Sequence, residues 1–314
     1  MRRILLVSAA ALLLLAGCGG SDEGSSASSP TGDLRDVKVS GGSTPKVAVD
    51  EGFGVDKTVS KVLKAGSGAQ VAAGDAVKLN YVAVNGRTGK QFDSSFTSDA
   101  PFTADLTAKS ILPGFIKGLE GRTVGSRVLV AISPKDGFGQ AQKQMDIKKD
   151  DTLVFLFDIV AKVPTEASGK AVALPMDLPK ITYDADQHPD GFKKTSRTAT
   201  KQTEPSAHVV IQGDGPVITK GQNVRFEYVG QVYPDGTKFD ESWSRSEPFA
   251  PAIGTGQLIA CWDQLIPGQK VGSRIVLVCP SNVAYGDDPN DPNRSEKIKA
   301  GDTLIFAIDL LDAS

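Results

Sequence analysis

The chain has 314 residues, 35 of them Lys or Arg and 37 Asp or Glu, for a formal net charge of −2. About two domains fit that length at ~100–200 residues each, and 40% apolar with 23% charged residues is ordinary for globular protein. The balanced charge gives no reason to expect nucleic acid or an anionic membrane surface as a partner. Two histidines, His188 and His208, and no Cys/His cluster argue against a zinc site or a His-based triad, so neither metal nor cofactor is expected.

Residues 1–18 read as a targeting segment. Arg2 and Arg3 precede an apolar run of 13 residues, 4–16, which is too short for the ~20 a bilayer span needs. The run ends in Leu15-Ala16-Gly17-Cys18, which resembles the lipobox of bacterial lipoproteins. Cys18 is therefore expected to be the lipid-modified N-terminus of the mature protein. It would anchor the protein on the extracytoplasmic face of the cell membrane, by acyl chains worth ~0.8 kcal/mol per buried CH₂. The alternative is ordinary cleavage that discards Cys18. Residues 19–43 are rich in Gly, Ser, Asp and Pro; they cannot bury enough surface to order themselves and read as a flexible tether.

The remainder carries one pattern twice. Pro45-Lys46-Val47 ahead of Asp50 recurs as Pro179-Lys180-Ile181 ahead of Asp184. In the first copy residues 57–64 and 77–84 alternate polar and apolar about a Gly66-Ser67-Gly68 turn, as half-buried strands do. The second copy repeats this with 207–211, a Gly213-Asp214-Gly215-Pro216 turn and 224–232. Asn85-Gly86-Arg87-Thr88-Gly89 and Pro234-Asp235-Gly236 read as hairpin turns. Alternating runs at 127–132, 152–160, 274–279 and 303–311 supply further strands, and each copy has one short helix, near 113–119 and 260–265. Five or six antiparallel strands wrapped on one short helix make an α+β fold. The boundaries expected are 44–163 for domain one, a Pro-rich linker at 164–177, and 178–314 for domain two.

The spacings agree without a gap. Tyr81 to Phe92 and Tyr228 to Phe239 are both 11 positions, Phe102 to Ile111 and Phe249 to Leu258 are both 9, and Val-Gly-Ser-Arg closes each copy at Arg127 and Arg274. No nucleophile–base pair, phosphate loop or paired carboxylate stands out. The acidic run 287–293 lacks the ligand spacing of an EF-hand loop and reads as a solvated loop. What recurs is an aromatic and aliphatic set, which on its own reads as plain strand core.

Tyr, then Gly-x-x-Phe-Asp, Pro-Phe, an aliphatic pair leading into Trp, Val-Gly-x-Arg, Ala-Tyr-Gly and Thr-Leu-x-Phe-x-Ile together resemble the FKBP-type (macrolide-binding) peptidyl-prolyl cis-trans isomerases, over roughly 90 residues in each half. The resemblance implies two FKBP-like domains. In domain two it implies an apolar pocket floored by Trp262, with Tyr228, Phe239, Asp240, Ile259, Tyr285 and Phe306 as catalytic residues and Phe249, Leu258 and Ile298 binding substrate. Such a pocket needs no nucleophile: the X-Pro bond is held by a barrier of ~18–20 kcal/mol, and a dry aromatic site favours the twisted, less polar amide. By resemblance, the Ile259 N–H holds the carbonyl before proline, the Tyr285 hydroxyl bonds the substrate backbone, and Asp240 lies near the twisting carbonyl. The alternative for Asp240 is a structural carboxylate bonded to Tyr228.

Domain one keeps Tyr81, Phe92, Asp93, Phe102, Ile111, Leu112, Ile147 and Phe155, but has Phe115 for Trp262 and Phe138 for Tyr285. The function expected is peptidyl-prolyl isomerisation of exported, proline-containing or unfolded clients, with domain two the more active and macrolides as inhibitors. The alternative is a proline-segment-binding chaperone module with little turnover. Cys261 and Cys279, the remaining cysteines of an exported chain, are expected to pair as a disulfide, the alternative being two buried free thiols.

Overall fold

The computed structural model describes residues 32–97, 101–106, 111–245, 249–292 and 294–314. The chain divides into two compact units, Met1–Ala161 and Lys162–Ser314. Cys18 and the targeting segment lie outside the described residues.

Unit one contains β1 (Lys38–Ser40), β2 (Lys46–Ala48), β3 (Val59–Lys64), β4 (Ala76–Asn85), β5 (Gln91–Ser94), β6 (Phe102–Asp105), α1 (Pro113–Leu119), β7 (Arg127–Ile132) and β8 (Leu153–Lys162). Its main sheet runs β3-β7-β8-β4-β5, with β6 also paired to β4. Unit two contains β9 (Lys170–Ala171), β10 (Lys180–Tyr183), β11 (Pro189–Lys193), β12 (Ser206–Gln212), β13 (Val224–Val232), β14 (Lys238–Glu241), α2 (Ala260–Leu265), β15 (Arg274–Cys279) and β16 (Leu304–Ala313). Its six-stranded sheet runs β14-β13-β16-β15-β12-β9. Each unit is thus the antiparallel sheet on one short helix that the strand spacing predicts.

The helices sit close to their sheets for different reasons. In α1, a Cβ on Gly114 would stand 2.4 Å from Ile132 Cγ2 and one on Gly118 2.7 Å from Val130 Cγ2, so glycine is what lets the helix approach. In α2 the positions matching Gly114 and Ile132 are Cys261 and Cys279, which are joined as a disulfide with Cα atoms 5.7 Å apart. One unit closes this contact by omission of a side chain, the other by a covalent bond.

The central strands are buried on both faces, which corrects the reading of β7, β8, β15 and β16 as alternating runs. In β8, Leu153, Phe155, Phe157 and Ile159 face the α1 core, while Val154 and Leu156 face a second cluster with Leu34, Val37, Val47, Val49, Phe53 and Val55. In unit two, Leu304, Phe306, Ile308 and Leu310 face the α2 core, while Ile305 and Ala307 meet Leu178 and Phe192 behind the sheet. Near-continuous apolar strands are what a sheet covered on both sides requires. The covering layer is the chain ahead of each domain.

Two boundaries move as a result. Residues 32–43, expected to be tether, include β1, paired antiparallel to β2, with Leu34 and Val37 buried. Residues 164–177, expected to be linker, belong to unit two: β9 pairs with β12, and the Ala167 N–H donates to Asp309 Oδ2 at 2.7 Å. Isolated apolar residues in a polar, Pro-rich stretch suffice to dock it, because the sheet behind supplies the apolar partner.

Candidate functional site

In unit two the site grows from β13, whose inward residues at 226, 228 and 230 face α2. The register places Gly230 opposite Asp240 on one side and opposite Phe306 on the other. A Cβ at Gly230 would stand 2.7 Å from Phe239 Cζ and 2.8 Å from Phe306 Cε1, so the bare backbone lets both rings close over the strand. Phe239 meets Phe306 edge-on at 5.6 Å.

The floor is Trp262, on the first turn of α2 and 4% exposed. Its ring stands edge-on to Phe226, Tyr228 and Phe306, each at 5.3 Å between centroids. Edge-to-face contacts of this kind add ~0.5–1.5 kcal/mol each beyond area burial. Phe249, Leu258, Ile259 and Tyr285 are partly buried around the basin, and Ile298 packs into the same cluster. The loop bearing Leu258 is held by Asp263, whose carboxylate accepts the Gly254 N–H at 2.7 Å and the Gly256 N–H at 2.6 Å.

One rim is charged. The Tyr228 hydroxyl donates to Asp240 Oδ2 at 2.5 Å, the Arg245 guanidinium bonds Asp240 Oδ1 and approaches the Tyr228 oxygen at 3.3 Å. Burial, then the bond to Asp240, pushes the Tyr228 hydroxyl well above its ordinary range; burial, then the charges of Asp240 and Asp291, does the same for Tyr285. Both hydroxyls stay protonated. Sequence reading missed Arg245; its signal was position, five residues past Asp240 where domain one has Ser98.

Donors around the basin are left uncommitted. Among the described residues, the Trp262 Nε1–H is buried without a partner, and neither the Tyr285 hydroxyl nor the Ile259 N–H is bonded. Residues 287–290 and 292 are exposed and Asp291 half-buried, and Arg294 closes the run through the carbonyls of Asp288 and Pro289.

Unit one assembles the matching set more loosely. Tyr81 donates to Asp93 Oδ2 at 2.5 Å, and Phe115 replaces the indole, at 4.9 Å from Phe155 and 4.7 Å from Phe157. Phe92 and Phe155 stand 6.0 Å apart, over Ala83 where unit two has Gly230. Phe102 is 38% exposed, and Ile111, Leu112 and Phe138 are partly buried against the core that holds Ile147. No hydroxyl stands at Phe138.

A six-stranded sheet over a short helix, with an aromatic basin and a Tyr–Asp rim, defines a domain of the proline-isomerase class, here present twice and floored by an indole in unit two alone. The family model of the FKBP-type peptidyl-prolyl cis-trans isomerases matches residues 68–160 and again 215–311, and the chain belongs to that family. It is 44% identical over 112 residues to an FK506-binding protein of Streptomyces anulatus, covering 34% of this chain and 88% of that one. It is 40% identical over 92 residues to the peptidyl-prolyl cis-trans isomerase FKBP2 of Mus musculus, covering 29% of this chain and 62% of that one. The crystal structure of the three FKBP domains of wheat FKBP73 aligns with a TM-score of 0.33 at 18% identity, covering 82% of this chain and 94% of that one.

Proposed function

We propose that this isomerase works outside the cytoplasmic membrane, held by a lipid on Cys18, with domain two supplying most of the turnover. The observation carrying the second part is the set of uncommitted donors. Tyr285 Oη–H, Ile259 N–H and Trp262 Nε1–H surround one apolar basin, and Phe138 and Phe115 remove two of the three in domain one. A proline seated on the indole leaves its preceding carbonyl to the Ile259 N–H and its flanking backbone to Tyr285. Asp240, held by Tyr228 and Arg245, sets the field at the carbonyl as the amide leaves planarity. Water is excluded from the twisting bond, so the polar planar state loses solvation that the twisted state does not need. Domain one, with an apolar wall and fewer donors, holds proline segments more than it turns them over. FK506-like macrolides are expected to compete for both basins.

Anchoring is supported by the lipobox-like run ending at Cys18 and by the Cys261–Cys279 disulfide, a bond that persists in oxidising compartments. Cys18→Ser should release the protein from membranes or leave it unprocessed; wild-type fractionation would refute the anchor.

The full chain tests the division of labour. Each hydrogen bond lost is worth ~0.5–1.5 kcal/mol, so Trp262→Phe/Tyr285→Phe should lower kcat/KM for an X-Pro peptide by roughly tenfold. Phe115→Trp/Phe138→Tyr should raise it. An unchanged rate in the first variant would place the turnover in domain one.

A further inference from the structure

Unit two has a cavity of about 680 Å³ beside the basin, sharing Phe239 and Asp240 with it. Its far wall is the β10–β11 hairpin, which contributes Asp184, Asp186, His188 and Asp190, and which lies outside the region matched by the family model, 215–311. We propose that this cavity is a subsite for a lysine or arginine side chain flanking the proline of the bound segment, so that domain two sorts its clients by charge. The proposal rests on domain two being the active isomerase.

The lining holds five carboxylates against three cations, an excess of two negative charges. The cations are largely spoken for: Lys238 is bonded to Asp190 and Arg245 to Asp240. Asp184, Asp186 and Glu241 remain against Lys297, Asp184 Oδ2 standing 3.4 Å from His188 Nδ1. Asp184 Oδ1 accepts the backbone N–H groups of Asp186 and His188 at 2.9 and 2.8 Å, which fixes the turn. One ligand atom from each of Asp184, Asp186 and His188 falls within 4.8 Å of the others, so the negative potential is concentrated.

Beside it lies a flat aromatic surface. The His188 imidazole stacks on the Trp243 indole, 4.3 Å between centroids and 11° between planes. The imidazole covers one face of the indole, and the stacked pair lines the cavity beside the carboxylates, an aromatic and anionic wall of the kind that attracts a cation. An extended chain advances ~3.3–3.6 Å per residue, so a side chain within about three positions of a proline against Phe239 reaches this space. Domain one keeps Asp50 for Asp184 and Asp93 for Asp240 but has Ser94 for Glu241 and Phe96 for Trp243, so it lacks the second carboxylate and the indole.

The test follows cis–trans relaxation of peptides identical except for Lys, Gln or Glu at each of the three positions on either side of the proline. The full chain is compared with its Asp184→Asn/Asp186→Asn variant. Asn retains an oxygen for the turn, and the readout is a ratio of efficiencies, which a general loss of folded protein does not move. For exposed charge pairs the expected preference is about three- to tenfold for Lys over Glu in kcat/KM at one or more positions. It should collapse towards one in the variant. Equal efficiencies, a preference for Glu, or a Lys preference that survives both substitutions overturns the subsite. If Gln-peptide turnover is unchanged by Trp262→Phe/Tyr285→Phe, the assignment of turnover to domain two, on which the subsite rests, is what falls instead.

Discussion

Replacing Asp309 should unfold domain two far more readily than the matched replacement unfolds domain one. Asp309 is fully buried and Arg274 5% exposed; they meet in a two-pronged pair at 2.6 and 2.8 Å, and Asp309 also accepts the Ala167 N–H. Asp309→Ala strands a buried guanidinium, a loss of ~3–5 kcal/mol. The counterpart, Asp158 with Arg127, is 27% and 22% exposed, so water replaces the lost carboxylate and the cost falls to about 1 kcal/mol. Both tryptophans, Trp243 and Trp262, lie in unit two. Tryptophan fluorescence during urea unfolding of the full chain therefore reads that unit selectively. With m near ~2 kcal/mol/M, Asp309→Ala should lower the tryptophan-detected midpoint by about 2 M, and Asp158→Ala should lower the midpoint of domain one, followed by far-UV circular dichroism of the full chain, by only about 0.5 M. A fall of less than about 0.5 M for Asp309→Ala, or an equal fall for Asp158→Ala, would show that burial does not set the strength of this pair.

Burial holds the Glu227 carboxyl above its ordinary 4.5, against the opposing bond from Ser242. A raised acid stabilises the fold below its unfolded pKa and loses that contribution as pH rises through the folded value. Glu227→Gln, which keeps an acceptor for Ser242, should thus melt higher than wild type at pH 7 and no higher below about pH 4; calorimetry against pH checks the sign. The Cys261–Cys279 bridge closes a separation of 18 residues. Cys261→Ala/Cys279→Ala should lower the tryptophan-detected stability by ~3 kcal/mol, and only the wild type should respond to reductant. Asp240→Val should keep a cooperative melt but lose about tenfold in kcat/KM; an unfolded variant would make the carboxylate chiefly structural.

Much of the site was legible because it is repeated. Fixed intervals between Tyr228, Phe239, Phe249 and Leu258 and their partners in domain one marked one fold used twice, and the motifs placed the helices and the basin. The layer behind each sheet was not legible. Leu34 and Val37 sit among polar residues, and Leu174 and Leu178 in a Pro-rich run, so composition read both as unstructured. The signal was in the sheet instead: Arg-Ile-Val-Leu-Val-Cys at 274–279 has no polar face to give to water. A fragment cut at residue 178 would lose β9 and the Ala167 bond, whereas one begun at 162 keeps them. The cavity wall was illegible for a different reason, since the hairpin bearing Asp184 and His188 is far in sequence from Trp243 and meets it only when the hairpin docks.

The bare backbone at Gly230 makes the differences between the two domains interdependent. Phe306 touches both the Gly230 strand and the Trp262 ring, and in domain one Phe155 stands between Ala83 and Phe115. Grafting an indole at Phe115 therefore asks a larger ring to fit beneath a phenyl that stands 0.4 Å further from Phe92 than Phe306 stands from Phe239, the difference between 6.0 and 5.6 Å, in a domain with Ala83 where the other has Gly230. Residues that share a contact are non-additive by ~0.5–3 kcal/mol. Ala83→Gly and Phe115→Trp should each accomplish little alone and more together, so Ala83→Gly should enlarge the gain in kcat/KM from Phe115→Trp/Phe138→Tyr.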